Sequence, residues 1–323
     1  MSRRVRRMRR RGKSRGIGGA GYPGLSRPEL DREYSPSSVV PSLRACLDAY
    51  ADLSAAVRAE HRPLADLCYG ASPAARLDLF PVDGGASALQ VFVHGGYWQE
   101  LTKEESAFAA RDFIAAGTAF AAIDYGSAPA YSLDEIVTMV CEAVAWLHAN
   151  APRFGIDPRR IHLGGSSAGA HLVAMALTRE TARLVAGAAL LSGIYDLEPL
   201  RHTYVNDALG LDAEAALRNS PVHHLPRRLP PVVIARGGGE TAEFIRQHNA
   251  MTALLRQRDT QVTEIVCPTR NHFDLPHDLG NPHTALGRAV LAQTRDSAVS
   301  TKEELCAHER PSARTPRSTA LSR

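Results

Sequence analysis

Long apolar runs are missing from this chain. None approaches the ~18 consecutive apolar residues that a membrane-spanning helix needs, so the sequence excludes an integral helical membrane protein. Cysteine is scarce and scattered: Cys46, Cys68, Cys141, Cys267 and Cys306 are odd in number and form no C-x-x-C pair. That argues against a disulfide framework and for a reduced, cytoplasmic compartment. Internal repeats are also absent. No apolar region follows the basic N-terminus to make a secretory signal.

Charge is unevenly placed. Of a formal net charge of +4, nine positive charges (Arg3, Arg4, Arg6, Arg7, Arg9, Arg10, Arg11, Lys13 and Arg15) fall within the first fifteen residues, which hold no acid. Setting those nine aside leaves residues 16–323 at −5, a mildly acidic body that argues against a nucleic-acid-binding face on the folded part. The expected organisation is a disordered basic arm over 1–27, one domain over 28–295, and a charged, Ser/Thr-rich disordered tail over 296–323. With 323 residues, 44% of them hydrophobic, the chain can bury a large core.

Periodicity gives the order of elements. Ser42 to Glu60 carries apolar residues at helical spacing, Arg76 to Val82 alternates as a strand, and Ala88 to Val93 is a strand ending at His94-Gly95-Gly96-Tyr97-Trp98. A helix is expected over Lys103 to Ala116 and a buried strand over Thr118 to Asp124. Ser132 with Glu135 forms a capping box for a helix to about Asn150. Strands follow at Ile161 to Leu163, Val185 to Leu191, Pro231 to Ala235 and Val262 to Val266, with helices from Ala168, over Thr241 to Arg258, and from near Pro282. Residues 196–231 lose periodicity and read as an excursion over one face of the sheet. Alternating strands and helices predict an α/β architecture: a mostly parallel central sheet with helices on both faces.

Gly165-x-Ser167-x-Gly169 sits between a strand and a helix, the context of a nucleophile elbow. The serine would stand at the carboxyl edge of the sheet, where it needs a base and an acid that orients the base. In this order of chemistry the acid comes next, then the histidine, each after a strand. Glu240 follows the strand at Val232, and His272 follows the strand at Val262. Glu243, inside the next helix, competes with Glu240 for the acid's role. An oxyanion hole requires N–H donors; Ala168, after the nucleophile, and the Gly95-Gly96-Tyr97 loop are in position to supply them.

These residues resemble those of the kynurenine formamidases (arylformamidases). His94-Gly95-Gly96-Tyr97-Trp98, with Lys103 and Ser106, is similar to that family's HGGxW segment, and Ser166 to Leu172 to its nucleophile segment. Glu240 to Gln247 resembles the acid loop and helix, Asn271-His272-Phe273 the histidine loop, and Glu33 to Ser38 and Tyr69-Gly70 upstream segments. The resemblance runs from about Leu30 to Arg295. It departs at Glu240, where eukaryotic members often carry Asp, and at His248, where a serine is common.

The resemblance implies an α/β-hydrolase fold with no large separate cap domain, and a cofactor-free, metal-free serine hydrolase acting on a small-molecule aryl formamide. N-formyl-L-kynurenine, cleaved to L-kynurenine and formate through a formyl-enzyme, is the expected substrate. Trp98, with Tyr97, would narrow the acyl pocket and touch substrate; packing of the loop is the other role open to it. Tryptophan catabolism and a biosynthetic route both remain open, as does a homodimer. The rival readings are a small-chain carboxylesterase of the same fold, a metal-dependent hydrolase built on His272-Phe273-Asp274-Leu275-Pro276-His277, and a non-catalytic binding module.

Overall fold

A computed structural model describes residues 24–295; residues 1–23 of the expected basic arm and the tail expected over 296–323 lie outside the described residues. Eight strands form one sheet: β1 (Leu64–Cys68), β2 (Arg76–Phe80), β3 (Ser87–Val93), β4 (Ala119–Ile123), β5 (Ile156–Ser166), β6 (Gly187–Leu191), β7 (Val232–Gly239) and β8 (Val262–Asn271). Their spatial order is β1-β2-β4-β3-β5-β6-β7-β8. β2 runs antiparallel to β1 and β4, and β4 through β8 with β3 are parallel.

Successive side chains of a strand point to opposite faces, and both faces of this sheet are covered. Leu89, Val91 and Val93 of β3 join one core with Ala119, Ala121 and Ile123 of β4; Phe92, Phe120 and Ala122 join the other. The first core also takes the helices α4 (Leu133–Asn150), α5 (Ala168–Ala176) and α8 (Ala242–Leu255). The second takes α2 (Leu43–His61), α3 (Ala110–Ala115) and a last helix, α9, over residues 285–295. Both faces being buried is why the central strands read as continuous apolar runs rather than alternation. Short helices α6 (Asn206–Leu209) and α7 (Ala213–Arg218) lie in the 196–231 excursion, and a seven-residue α1 (Arg27–Glu33) precedes α2.

Several boundaries differ from the sequence reading, and β5, β7 and β8 run longer than expected. Residues 24–27, assigned to the arm, belong to the fold: Ser26 donates from both N–H and hydroxyl to Glu29 at the start of α1, and Leu25 packs against the core. β1 carries no strand signal in the sequence: it is an edge strand, exposed along most of its length, without apolar alternation. The helix expected over Lys103 to Ala116 is broken into a 3₁₀ turn, Lys103–Glu105, and α3. Tertiary bonds break it. Arg58 Nη2 donates to the Lys103 carbonyl, and the Ala107 N–H donates to Ser54 Oγ. The last helix begins at 285 rather than at Pro282, which sits in the preceding turn.

Among the described residues no helix is long and apolar enough to cross a membrane.

Candidate active site

Ser167 stands between β5 and α5 with φ 57° and ψ −118°, a backbone conformation that costs an L-residue energy and turns its side chain off the end of the strand. Its N–H donates to the Leu191 carbonyl of β6 at 2.8 Å, and its carbonyl accepts the first helical bond from His171. Both motif glycines are required by space. A Cβ on Gly165 would lie 2.4 Å from the Gly169 backbone, and one on Gly169 would lie 2.0 Å from the Val93 carbonyl oxygen.

Glu240 and His272 follow the ends of β7 and β8. His272 Nδ1 lies 2.9 Å from Glu240 Oε2, and both side chains are almost fully buried. A carboxylate on Nδ1 holds the proton there, leaving Nε2 as the basic nitrogen. The other carboxylate oxygen, Oε1, accepts from the hydroxyl of Ser192, the residue just beyond β6. Burial pushes the Glu240 carboxyl upward. The charge and hydrogen bond of His272, the Ser192 hydroxyl and the Gly237 N–H outweigh it and hold the group below the usual carboxylate range. The ring of His272 is wedged edge-on between Phe244 and Phe273, with centroids 4.7 and 5.2 Å away. Its loop is held by Asn271, whose Oδ1 accepts from the N–H groups of Phe273 and Asp274, while Asp274 Oδ1 accepts from the Asn271 N–H.

The loop after β3 lies against the serine. A Cβ on Gly95 would sit 3.3 Å from Ser167 Cβ and 3.0 Å from the Ser166 carbonyl oxygen. Gly96, Tyr97 and Trp98 have φ of 91°, 51° and 60°, three consecutive left-handed residues. Outside contacts hold this unfavourable run in place. The Tyr97 hydroxyl donates to the Tyr34 carbonyl, and the Tyr125 hydroxyl reaches the carbonyls of His94 and Gly95 at 2.8 and 3.1 Å. The ring of Tyr125 also stacks on His94 at 4.1 Å. Burial holds the His94 imidazole down at about 4, so it is neutral at pH 7, with Nδ1 donating to the Gly95 carbonyl.

A cavity of about 240 Å³ opens above these groups, and Ser167, His272, Gly95, Gly96 and Tyr97 all line it. Leu43, Leu47 and Tyr50 of α2, Phe92, Phe108 and Phe273, and Tyr204 and Val205 of the excursion, make it largely apolar. Trp98 is not in that lining. Its side chain is fully buried in the core, edge-on to His171 at 4.9 Å, so the expected substrate contact is corrected to a packing role. Glu243 is likewise directed elsewhere: it accepts from the Tyr34 hydroxyl at 2.8 Å and is ion-paired with Arg246 at 2.9 Å. His277 and Asp274, of the metal-binding alternative, have structural partners: His277 packs against the rings of Tyr50 and Phe108, and Asp274 closes the Asn271 turn.

Three contributors have roles that the sequence does not assign. Ser192 sits at the end of a strand that was identified, so the position was findable; its hydrogen bond was not. Tyr34 and Gln247 lie in the segments Glu33 to Ser38 and Glu240 to Gln247 that carry the family resemblance, but nothing in the sequence ties one to the other. Gln247 Nε2 donates to the Tyr34 hydroxyl while its Oε1 accepts from the Tyr195 and Asp196 N–H groups, tying α1 and α8 to the loop after β6.

An antiparallel second strand in an otherwise parallel sheet of this order, with a strained serine and a carboxylate-bound histidine at its carboxyl edge, defines an α/β hydrolase. The BD-FAE family matches residues 77–190. A kynurenine formamidase of Danio rerio is 30% identical over 288 residues, covering 84% of this chain and 97% of its own. That of Salmo salar is 31% identical over 274 residues, covering 79% and 92%. A crystal structure from Silicibacter sp. TM1040, described provisionally as a thioesterase, is 30% identical with a TM-score of 0.72, covering 82% of this chain and 99% of that one. The chain belongs to the kynurenine formamidase family and is a hydrolase with formamidase or esterase activity.

Proposed function

We propose that the protein hydrolyses an aryl formamide, N-formyl-L-kynurenine foremost, to the free arylamine and formate, using Ser167, His272 and Glu240 as a triad. His272 Nε2 takes the Ser167 proton as Oγ attacks the formyl carbon. The oxyanion is received by the Ala168 N–H and by N–H groups of the Gly95-Gly96-Tyr97 segment. Collapse expels the arylamine, to which His272 returns the proton, and water then releases formate from the formyl-serine by the same route in reverse. The ring competes for the amide nitrogen's lone pair, which makes this carbonyl more electrophilic than that of an ordinary amide.

The observation that carries this reading is the 2.9 Å contact of His272 with a buried Glu240 in the cavity that Ser167 also lines. The family relation points the same way. The test is turnover of N-formyl-L-kynurenine against short p-nitrophenyl esters by the wild type, Ser167→Ala and Ser166→Ala. Ser167→Ala should abolish turnover, and Ser166→Ala should keep most of it. Esters cleaved while the formamide is untouched would instead make the protein a small-chain esterase.

A further inference from the structure

The cavity carries charge of one sign. Apart from its histidines and tyrosines, the ionisable side chains of its lining are Glu100 and Glu105, with no lysine or arginine among the lining residues. The cations behind this wall are already neutralised. Lys103 Nζ lies 3.0 Å from Asp66 and 3.3 Å from the fully buried Asp78, and Arg58 is paired with Asp78 and Glu104. Glu105 is fixed in place, since its Oε2 accepts from the Thr102 N–H at 2.9 Å and the Thr102 hydroxyl at 2.8 Å. Its charge is near enough to the oxyanion loop to favour the protonated form of His94, against the larger effect of burial. Much of the remaining wall is apolar and accepts an aromatic ring without reading charge.

We propose that the site selects its aryl formamide by the charge on the leaving arylamine: an ammonium substituent is favoured through Glu105 and Glu100, and a carboxylate substituent finds no counter-charge. This rests on the formamidase reading above. For N-formyl-L-kynurenine, which carries both groups, the ammonium is the recognised end and the carboxylate is dispensable. The substrate class therefore extends to aryl formamides with an amine side chain and no carboxylate.

The test compares kcat/KM of the full chain for para-(aminomethyl)formanilide, formanilide and para-formamidobenzoate, and for N-formyl-L-kynurenine beside its decarboxylated amine. The aminomethyl compound should exceed the benzoate by roughly tenfold or more at low ionic strength, with salt eroding the ratio. The decarboxylated amine should match or exceed the amino acid. In Glu100→Gln/Glu105→Gln the ratio should collapse toward one; glutamine also completes a capping box, so the Thr102 turn is kept. A benzoate turned over as well as formanilide, or a ratio that the double substitution leaves unmoved, overturns the proposal. If the double variant does not fold, the wild-type series decides alone. If no formamide is cleaved, the formamidase reading fails, and phenyl acetates bearing the same two ring substituents test the charge selection separately.

Discussion

His272 Nδ1 and Glu240 Oε2 meet at 2.9 Å across 32 residues of chain, and strand register makes the contact. β7 and β8 pair in parallel from Val232↔Val262 as far as Gly237↔Cys267, then slip, so that Gly239 stands opposite Asn271. The next residue on each strand is Glu240 and His272. Had the register continued unbroken, Glu240 would have followed toward Arg270. The slip is possible because the two backbones touch there: a Cβ on Gly237 would lie 2.4 Å from the Arg270 carbonyl oxygen, and one on Gly238 2.4 Å from that of Pro268.

Gly238→Ala therefore has to push β8 away from β7. The expected cost is about 1–3 kcal/mol of stability, a melting temperature lower by about 2–4 °C for each kcal/mol. The fall in kcat should be out of proportion to it, because a shift of a few tenths of an ångström opens the Glu240–His272 bond. Thermal melts and steady-state kinetics on the same preparation check this; unchanged kcat would mean the register tolerates the added methyl.

Glu240 and Glu243 make opposite predictions. Glu240→Gln removes the carboxylate that orients His272, and kcat should fall by up to roughly 10⁴-fold with KM little changed. Glu243→Gln loosens the Tyr34 and Arg246 contacts, so it should lower the melting temperature while leaving most of kcat. Ser192→Ala keeps the carboxylate but frees its Oε1, and should fall between the two with a loss of roughly tenfold. Kinetics of the three variants, with melting curves, separate the roles. A crippling Glu243→Gln beside a nearly silent Glu240→Gln would put the acid on α8.

Acid should weaken the fold well before carboxylates as a class protonate. Burial holds His94, His162 and His171 down at about 4. Unfolded, they titrate near pH 6.5. Between those values the unfolded chain binds more protons, so stability falls as pH drops, by about 1.4 kcal/mol per pH unit for each histidine. Asp124 works the other way: burial pushes its carboxyl from 3.8 up to about 6, and over that window the folded state gains the proton. It offsets about one histidine. Urea midpoints measured from pH 7 to pH 5 should decline, and His171→Gln should flatten the decline by about one histidine's share. An unchanged slope would show that His171 titrates normally in the fold.

The sequence was most legible where local chemistry and long-range packing agree. Ser132 and Glu135 marked the start of α4 by a hydrogen-bonding pattern complete within four residues, and the structure contains it. The elbow was legible because Gly165 and Gly169 answer to contacts one strand and one turn away. What could not be read depends on distant partners. β1 exists through pairing with β2, the Lys103 turn through Arg58 and Ser54, and the β7–β8 slip through glycines whose crowding needs both strands. Ser192 and Glu240 are 48 residues apart, and nothing local to either announces their bond.

Trp98 is the case where sequence pattern and physical role part. It sits inside the most family-specific string of the chain, yet its ring is fully buried, packed edge-on to His171 and outside the cavity lining. Tyr97, its neighbour, lines the cavity and donates its hydroxyl to the Tyr34 carbonyl. The two should therefore respond differently. Trp98→Phe leaves a void where the indole's second ring stood, and by analogy with large-to-small core changes should cost on the order of 2 kcal/mol, visible as a lower melting temperature. KM should stay within about twofold of wild type, since no substrate contact is lost. Tyr97→Phe removes one hydrogen bond, worth about 0.5–1.5 kcal/mol. Its larger effect should be on kcat, because that bond restrains a left-handed residue beside the nucleophile. A Trp98→Phe protein with a normal melting temperature and a greatly raised KM would return Trp98 to the substrate.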